Sequence, residues 1–159
     1  MPTYTVAASD GCLDAQKKAK IASAITRVHS ETTGAPICFA QVIFNHISSE
    51  DYFVGGAPLR AQQVFVCGQI RGGRTAENKG ALISQILTAV AEASELERNK
   101  IWIYLVDIPG RQMVEFGHVL PEPGDEPAWM AALPEADRKM MQNISVDTPE
   151  LIKPQADGV

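Results

Sequence analysis

The chain is poor in the residues that mark metalloproteins and disulfide-rich proteins. Its 159 residues include three cysteines, an odd number with no C-x-x-C spacing, so neither a disulfide framework nor a zinc site is indicated. We expect Cys12, Cys38 and Cys67 to be reduced, mostly structural thiols. The three histidines are scattered and do not form an H-E-x-x-H pattern. The sequence therefore predicts no bound metal.

Positive charge and long apolar runs are also lacking. With 14 Lys and Arg against 19 Asp and Glu, the net charge is -5 and the pI is near 5.2, which disfavours nucleic acid and anionic membranes as partners. No apolar run approaches the roughly 20 residues that span a bilayer, and the start has no secretion-signal pattern. We expect a cytoplasmic protein. With 45% hydrophobic residues, the length suits one compact domain.

The first third of the chain has the pattern of one β-α-β unit. Alternation over residues 4–8 predicts a strand, and Asp14 can cap a following helix. Apolar residues then recur at three- and four-residue steps until Gly34 and Pro36 end the helix. A second strand is predicted over residues 39–47, which are rich in β-branched and aromatic side chains. An irregular stretch follows.

The same pattern then repeats. Residues 64–71 predict a strand, Thr75 can cap a long amphipathic helix, and residues 101–107 predict another strand. Two β-α-β units, about residues 2–45 and 63–107, predict an α/β (α+β) fold with one four-stranded sheet and both helices on one face.

The last part of the chain is broken by prolines and glycines. We expect residues 108–133 to wrap over the domain, which would span residues 1–133, with a short helix at about residues 129–142. Residues 134–159 are predicted to form a C-terminal helix and a partly disordered tail. The sheet face without helices would be bare and apolar, with Trp102, Phe65 and Phe39 on its strands, which predicts oligomerisation.

The turn Arg71-Gly72-Gly73-Arg74 lies at a strand-to-helix junction. Two guanidinium groups and the free N–H groups of a helix start can together hold a carboxylate or a phosphate. Both common phosphate-binding glycine motifs are absent, so a carboxylate is favoured. The alternative is a solvated turn whose arginines only aid solubility.

Pro2 follows a start methionine of the kind that cells commonly remove. Removal would leave a secondary amine, and a terminal amine has a pKa of about 8, which suits proton transfer. The alternative is a stiff second residue without chemistry.

Three further side chains each have a functional and a structural interpretation. His29 borders the apolar helix face, either as a core histidine or as a donor to an anion. Tyr104 alternates with apolar neighbours and could be a core or interface aromatic. Glu115 lies in an apolar run where burial would favour a general-base role, although a surface glutamate is as plausible.

Taken together and in order, five segments resemble the tautomerase superfamily and, within it, the cis-3-chloroacrylic acid dehalogenase group. They span residues 2 to about 130: Pro2-Thr3-Tyr4-Thr5-Val6, Ala24-Ile25-Thr26-Arg27-Val28-His29, Arg71-Gly72-Gly73-Arg74-Thr75, Ile101-Trp102-Ile103-Tyr104, and Met113-Val114-Glu115-Phe116-Gly117. One position departs from the dehalogenase motif, where a second threonine is replaced by Ala35.

The resemblance implies a homotrimer of tandem β-α-β units that needs no cofactor. It further implies that Pro2 is the catalytic terminus, that Tyr104 and Glu115 position and activate water, and that the substrate carboxylate is held by three residues: His29, Arg71 and Arg74. The implied reaction is hydration or hydrolytic dehalogenation of a small unsaturated carboxylate, with Pro2 as general acid. Two alternatives remain open: keto-enol tautomerisation of a 2-oxo acid with Pro2 as base, and a noncatalytic binding protein of the same fold.

Overall fold

The computed structural model describes residues 2–146, and its centre is one four-stranded sheet. The sheet contains β1 (Thr3–Ser9), β2 (Gln41–Ile47), β5 (Val64–Arg71) and β6 (Ile101–Ile108) in the spatial order β2-β1-β5-β6. β1 pairs with β2 in parallel, as β5 does with β6, whereas β1 and β5 are antiparallel. The two β-α-β units therefore lie side by side in opposite directions, which confirms the predicted fold class.

Two long helices cross over the same face of the sheet. In α1 (Ala15–Thr33), the Asp14 side chain accepts a hydrogen bond from the Lys17 N–H, and Gly34 ends the helix at a φ of 70°. α2 (Ala76–Ser94) begins with Thr75, whose side chain accepts from the Asn78 N–H. Both caps are those expected from the sequence, because Asp and Thr satisfy unpaired N–H groups and glycine adopts the left-handed conformation.

The core lies between the helices and the sheet. Along β1 the side chains of Tyr4 and Val6 are fully buried, and they pack with Ile25 of α1 and Ile86 of α2. Burial of this apolar surface, at about 25 cal/mol per Å², is the main source of stability. The opposite sheet face carries exposed apolar side chains on β2 and β6: Ile43, Trp102, Tyr104 and Val106, each 43–56% exposed.

Two parts of this region differ from the sequence prediction. Phe39 does not lie on a strand or on the open sheet face, because residues Ile37–Phe39 form a 3-10 turn and β2 begins only at Gln41. The stretch expected to be irregular contains a small hairpin of β3 (Phe53–Val54) and β4 (Ala57–Pro58).

The segment after β6 packs back against the turn at residues 71–74 through Pro121, Pro123 and Glu126. Residues 108–133, the wrapping segment, contain the hairpin of β7 (Val114–Glu115) and β8 (His118–Val119) and then α3 (Glu126–Ala132); α4 (Glu135–Val146) follows. The single helix predicted over residues 129–142 is wrong, because Pro134 cannot continue a helix and separates α3 from α4. The predicted frayed end lies outside the described residues.

Within residues 2–146, no helix is long and apolar enough to cross a membrane. In the same part of the chain, no group of three or more His, Cys, Asp or Glu side chains could hold a metal ion.

Candidate active site

The two arginines of the turn line one cavity. Arg71 ends β5, and Arg74 immediately precedes the α2 cap Thr75. The Gly72 N–H donates to the Ile108 carbonyl at 2.9 Å, and Gly73 has a φ of 99°. A Cβ at Gly73 would lie 2.4 Å from Cγ of Pro123, so the wrapping segment packs directly on this turn. Only glycine combines that backbone conformation with so close an approach.

The cavity has a volume of about 310 Å³, and Arg71 and Arg74 together form one wall of it, the arginine wall. The end of α1, the 3-10 turn and the wrapping segment form the remaining walls. Apart from Arg71, Arg74, Glu126 and Thr33, its lining side chains are apolar or absent: Gly34, Ala35, Pro36, Phe39, Leu120, Pro121, Pro127, Trp129 and Met130. A largely apolar cleft with a few convergent polar groups is the usual form of a small-molecule site.

The guanidinium of Arg74 has one nitrogen without a partner among residues 2–146. Its Nη1 donates to the Arg71 carbonyl at 2.7 Å, and its Nη2 lies 3.5 Å from His29 Nε2. Its Nε is buried and has no hydrogen-bond partner among residues 2–146. Burial, and then the positive charge of Arg71, lower the pKa of Arg74. A bound anion would offset the repulsion between the two cations.

His29 supports Arg74 from the protein interior. It is buried and does not line the cavity; its Nδ1 lies 2.7 Å from the Tyr4 hydroxyl. A guanidinium can only donate, so Nε2 must accept in the contact with Arg74, and Nδ1–H then donates to the Tyr4 oxygen. Burial and the charge of Arg74 lower the pKa of His29 to about 3. His29 is therefore neutral at physiological pH.

Tyr4 is a member of this network that the sequence analysis missed. Its ring packs edge-on against His29 with centroids 5.7 Å apart, and burial raises its pKa. The available signal was the alternation of β1, which places Tyr4 on the core face two residues after Pro2.

A methyl group at Gly68 is expected to disrupt this network. Gly68 pairs with Tyr4 across β1 and β5, and a Cβ there would lie 2.5 Å from Tyr4 Cε1 and 2.8 Å from a Leu105 methyl. Gly68→Ala should therefore lower the free energy of unfolding by about 1–3 kcal/mol, measured by urea denaturation. Gly80→Ala in α2 is the control: its Cβ meets nothing within 4 Å, and it should raise stability by about 0.5–1 kcal/mol. Equal effects of the two changes would contradict the packing described.

His29 is also expected to make stability depend on pH. An ordinary histidine has a pKa of 6.5, and the folded protein lowers that of His29 to about 3, so the unfolded chain binds more protons between these values. The contribution of His29 is complete above pH 6.5 and is lost as the pH falls toward 3, at up to about 1.4 kcal/mol per pH unit. Urea denaturation at pH 7, 6 and 5 should show this slope in wild type and in the His46→Gln control. The slope should be much smaller in His29→Gln; an unchanged slope would contradict the assignment.

Pro2 lies at the start of the strand that carries Tyr4. Its side chain is fully buried, and its carbonyl accepts a hydrogen bond from the Gln41 N–H at 3.0 Å. Pro2 directly precedes β1, and within β1 Tyr4 contacts His29, which in turn contacts Arg74. Residue 2 therefore does not lie in bulk solvent, and it lies two positions from the residue that contacts His29.

Glu115 lines a second, larger cavity. This cavity, of about 630 Å³, also includes Thr3 and Gln41, next to Pro2, whereas Arg71 and Arg74 do not line it. Phe39 borders both cavities, and its ring centroid lies 6.0 Å from that of Phe116. Burial raises the pKa of Glu115, as a general base requires.

The turn beside Glu115 has strained backbone. Phe116 and Gly117 have φ values of 52° and 82°, so they form the two-residue loop with positive φ at both positions that joins β7 to β8. A bulky residue rarely adopts this conformation, and such residues cluster at functional sites because the surrounding structure must hold them. The packing of Phe116 against Phe39 is one contact that does so.

Tyr104 stands apart from both cavities. It is 56% exposed on the open sheet face, where its ring packs edge-on against Phe65 at 5.1 Å. It lines neither cavity within one chain. The structure thus brings Arg71, Arg74 and His29 together, places Glu115 in the neighbouring cavity, and leaves Tyr104 outside.

Comparison with known proteins agrees with this fold. The family model Tautomerase_3, described as "Putative oxalocrotonate tautomerase enzyme", matches residues 1–132. A search of curated proteins found no match. The crystal structure of N1, a member of the cis-3-chloroacrylic acid dehalogenase family, is 35% identical, with a TM-score of 0.83 over 89% of this chain and 99% of that one.

Two further solved structures share the fold. Native Ps01740 is 26% identical, with a TM-score of 0.67 over 71% of this chain and 99% of that one. A fused 4-OT described as a symmetric trimer is 25% identical, with a TM-score of 0.64 over 70% of this chain and 89% of that one.

The tandem β-α-β sheet is the fold of these relatives, and the family match supports a tautomerase-type enzyme. The chain belongs to the tautomerase superfamily, in the cis-3-chloroacrylic acid dehalogenase group. This confirms the resemblance stated from the sequence.

Proposed function

We propose that the protein is a cofactor-independent enzyme that adds water to small unsaturated carboxylates, including cis-3-haloacrylates. The observation that carries this proposal is that two guanidinium groups, those of Arg71 and Arg74, line one largely apolar cavity. Support comes from the similarity to N1, whose group is named for a haloacrylate dehalogenase.

In this proposal the arginine wall binds the substrate carboxylate. Arg74 supplies guanidinium N–H donors, and Arg71 supplies a second positive charge; charge-assisted hydrogen bonds of this kind are about twice as strong as neutral ones. Neutral His29 fixes the orientation of Arg74 through the 3.5 Å contact at Nε2. Drawing electron density toward the carboxylate makes the β-carbon of the conjugated acid electrophilic, and the fixed charges stabilise the negative charge that develops as water adds.

Proton transfer is assigned to Glu115 and Pro2. Glu115 takes a proton from a water molecule while the water oxygen bonds to the β-carbon. The electron pair of the double bond then moves toward the α-carbon. The protonated amine of Pro2, freed by removal of the start methionine, then gives its proton to the α-carbon. With a halogen on the β-carbon, the adduct loses halide and one proton to give malonate semialdehyde.

We further propose that the enzyme acts as a homotrimer. Its open sheet face exposes Trp102, Tyr104 and Val106, an apolar surface that a second copy would cover, and the related fused 4-OT is a trimer. Tyr104 lines neither cavity of its own chain, so a role in catalysis would place it at the site of a neighbouring subunit.

A second candidate, keto-enol tautomerisation of a 2-oxo acid, is favoured by two observations. Pro2 is fully buried, and burial disfavours the charged form of an amine, so that Pro2 would act as a base. Glu115 lines a cavity separate from that of the arginines, and tautomerisation needs only one group to carry the proton.

Glu115→Gln distinguishes the two reactions. Halide release from cis-3-chloroacrylate and ketonisation of phenylenolpyruvate should be measured for wild type, Glu115→Gln and the exposed control Glu92→Gln. Hydration predicts a loss of about 10²–10⁴ in halide release, the usual contribution of a general base, with tautomerisation retained. Tautomerisation in wild type without halide release would support the second candidate. Binding of carboxylates without turnover of either substrate would overturn both.

A further inference from the structure

One acidic side chain lies inside the candidate anion site. Glu126, at the start of α3, forms an ion pair through Oε1 with Nη2 of Arg71. Its second oxygen, Oε2, accepts a hydrogen bond from the Gly124 N–H at 2.8 Å. Arg71 also donates from Nη1 to the Pro121 carbonyl at 3.1 Å. Both outer nitrogens of Arg71 are thus bonded to the wrapping segment.

This ion pair sets the charge of the cavity. Its lining contains two cations, Arg71 and Arg74, and one carboxylate, Glu126, which leaves a net charge of +1. Glu126 is ionised near neutral pH, because the hydrogen bond from Arg71 lowers its pKa. One ligand carboxylate balances the remaining charge.

A second ligand carboxylate would have no partner. The uncharged lining side chains that carry a polar group are those of Thr33 and Trp129. The Thr33 hydroxyl already donates to the His29 carbonyl at 2.7 Å. The indole N–H of Trp129 donates to the Val119 carbonyl at 2.8 Å. A dianion would therefore bring an unpaired charge into an apolar cleft, against the repulsion of Glu126.

We propose that Glu126 determines specificity by restricting the cavity to acids with a single carboxylate. The inference rests on the proposed function, because it takes the cavity to be the substrate carboxylate site. Glu126 contacts Arg71 and is not assigned a part in bond making or breaking. Its negative charge leaves room for one anionic group, and the apolar walls receive the rest of the ligand.

The test compares two unreactive ligands that differ by one carboxylate. Benzoate and phthalate binding should be measured by titration calorimetry at low ionic strength, where charge effects are least screened. Wild type should bind benzoate at least tenfold more tightly than phthalate. Glu126→Gln should lower this ratio about tenfold, equivalent to about 1.4 kcal/mol, chiefly by improving phthalate binding.

Two variants serve as matched controls. Glu122→Gln removes the same charge from the same segment, but Glu122 does not line this cavity, so the ratio should not change. Glu126→Asp keeps the charge and should keep most of the selectivity. Thermal unfolding of each variant reports any loss of fold.

The outcomes separate this inference from the proposed function. If Glu126→Gln leaves the ratio within twofold of wild type, or weakens both ligands equally, Glu126 only holds α3 in place and the specificity role is overturned. If wild type binds neither ligand, the carboxylate site itself is wrong, and both proposals fail.

Discussion

Replacing Arg74 with alanine is expected to lower kcat/KM for unsaturated carboxylates by about 10²–10³, the loss that follows from removing a charge-assisted pair worth about 3–4 kcal/mol. Arg74 lines the cavity, and it is oriented by His29 and by the Arg71 carbonyl. Its removal should also abolish calorimetric binding of benzoate.

The Arg74→Ala variant should remain folded. Arg27→Ala is the control, because Arg27 is exposed on the same helix as His29. This variant should leave turnover, benzoate binding and helix content unchanged. Circular dichroism should show the same helix content in both variants. Full activity of Arg74→Ala would show that the substrate carboxylate does not bind in this cavity.

Arg71→Ala is expected to have a broader effect. Arg71 binds the Pro121 carbonyl and Glu126, so the change should loosen the wrapping segment as well as weaken anion binding. We therefore expect both a lower unfolding temperature and a loss of turnover, whereas Arg74→Ala should mainly affect turnover. The same unfolding temperature for the two variants would contradict this division of roles.

Blocking the amine of Pro2 is expected to reduce turnover by about 10²–10⁴, the range for loss of a general acid or base. A chain with one extra residue ahead of Pro2 that is not removed would hold the Pro2 nitrogen in an amide, which has no usable proton. Benzoate binding should change far less than turnover, because the arginine wall is intact. The matched control is the same chain after enzymatic removal of the extra residue, which should regain activity. Full turnover by the extended chain would exclude Pro2 from the chemistry.

Most of the fold follows from local sequence signals. Asp14, Gly34 and Thr75 end or begin helices at the predicted residues, because each satisfies a backbone requirement that involves only its neighbours. The strand Val64–Arg71 was also predicted with its observed bounds. Such signals are readable because they do not depend on distant parts of the chain.

The features that were not predicted depend on contacts between distant segments. The sequence pattern around Phe39 predicts a strand, but Phe39 lies in a 3-10 turn. Its ring packs against that of Phe116, 77 positions later in the chain. Tyr4 has the sequence pattern of an ordinary strand residue, and only the folded chain places its hydroxyl 2.7 Å from His29 Nδ1. The ion pair of Arg71 with Glu126 likewise joins two segments whose proximity no local pattern indicates.

The candidate site shows the same limit. The Arg71-Gly72-Gly73-Arg74 turn was predicted to be an anion site from its position between a strand and a helix cap, and this stays a prediction. The different surroundings of its two arginines were not predicted, because they depend on the folded chain: the Arg71 side chain binds the wrapping segment, whereas Arg74 has a buried donor without a partner among residues 2–146. Separation of Glu115 from the arginines by Phe39 is also a property of the folded chain.

The proposed mechanism requires an unblocked Pro2 amine close to the carboxylate site, and NMR titration of protein labelled with ¹⁵N-proline measures this directly. We predict a titrating secondary amine at residue 2 whose pKa rises when benzoate is added, because a nearby anion favours the protonated form. The response should be absent in Arg74→Ala. An amide signal at residue 2, or an amine whose pKa is unaffected by benzoate that binds elsewhere, would contradict the account.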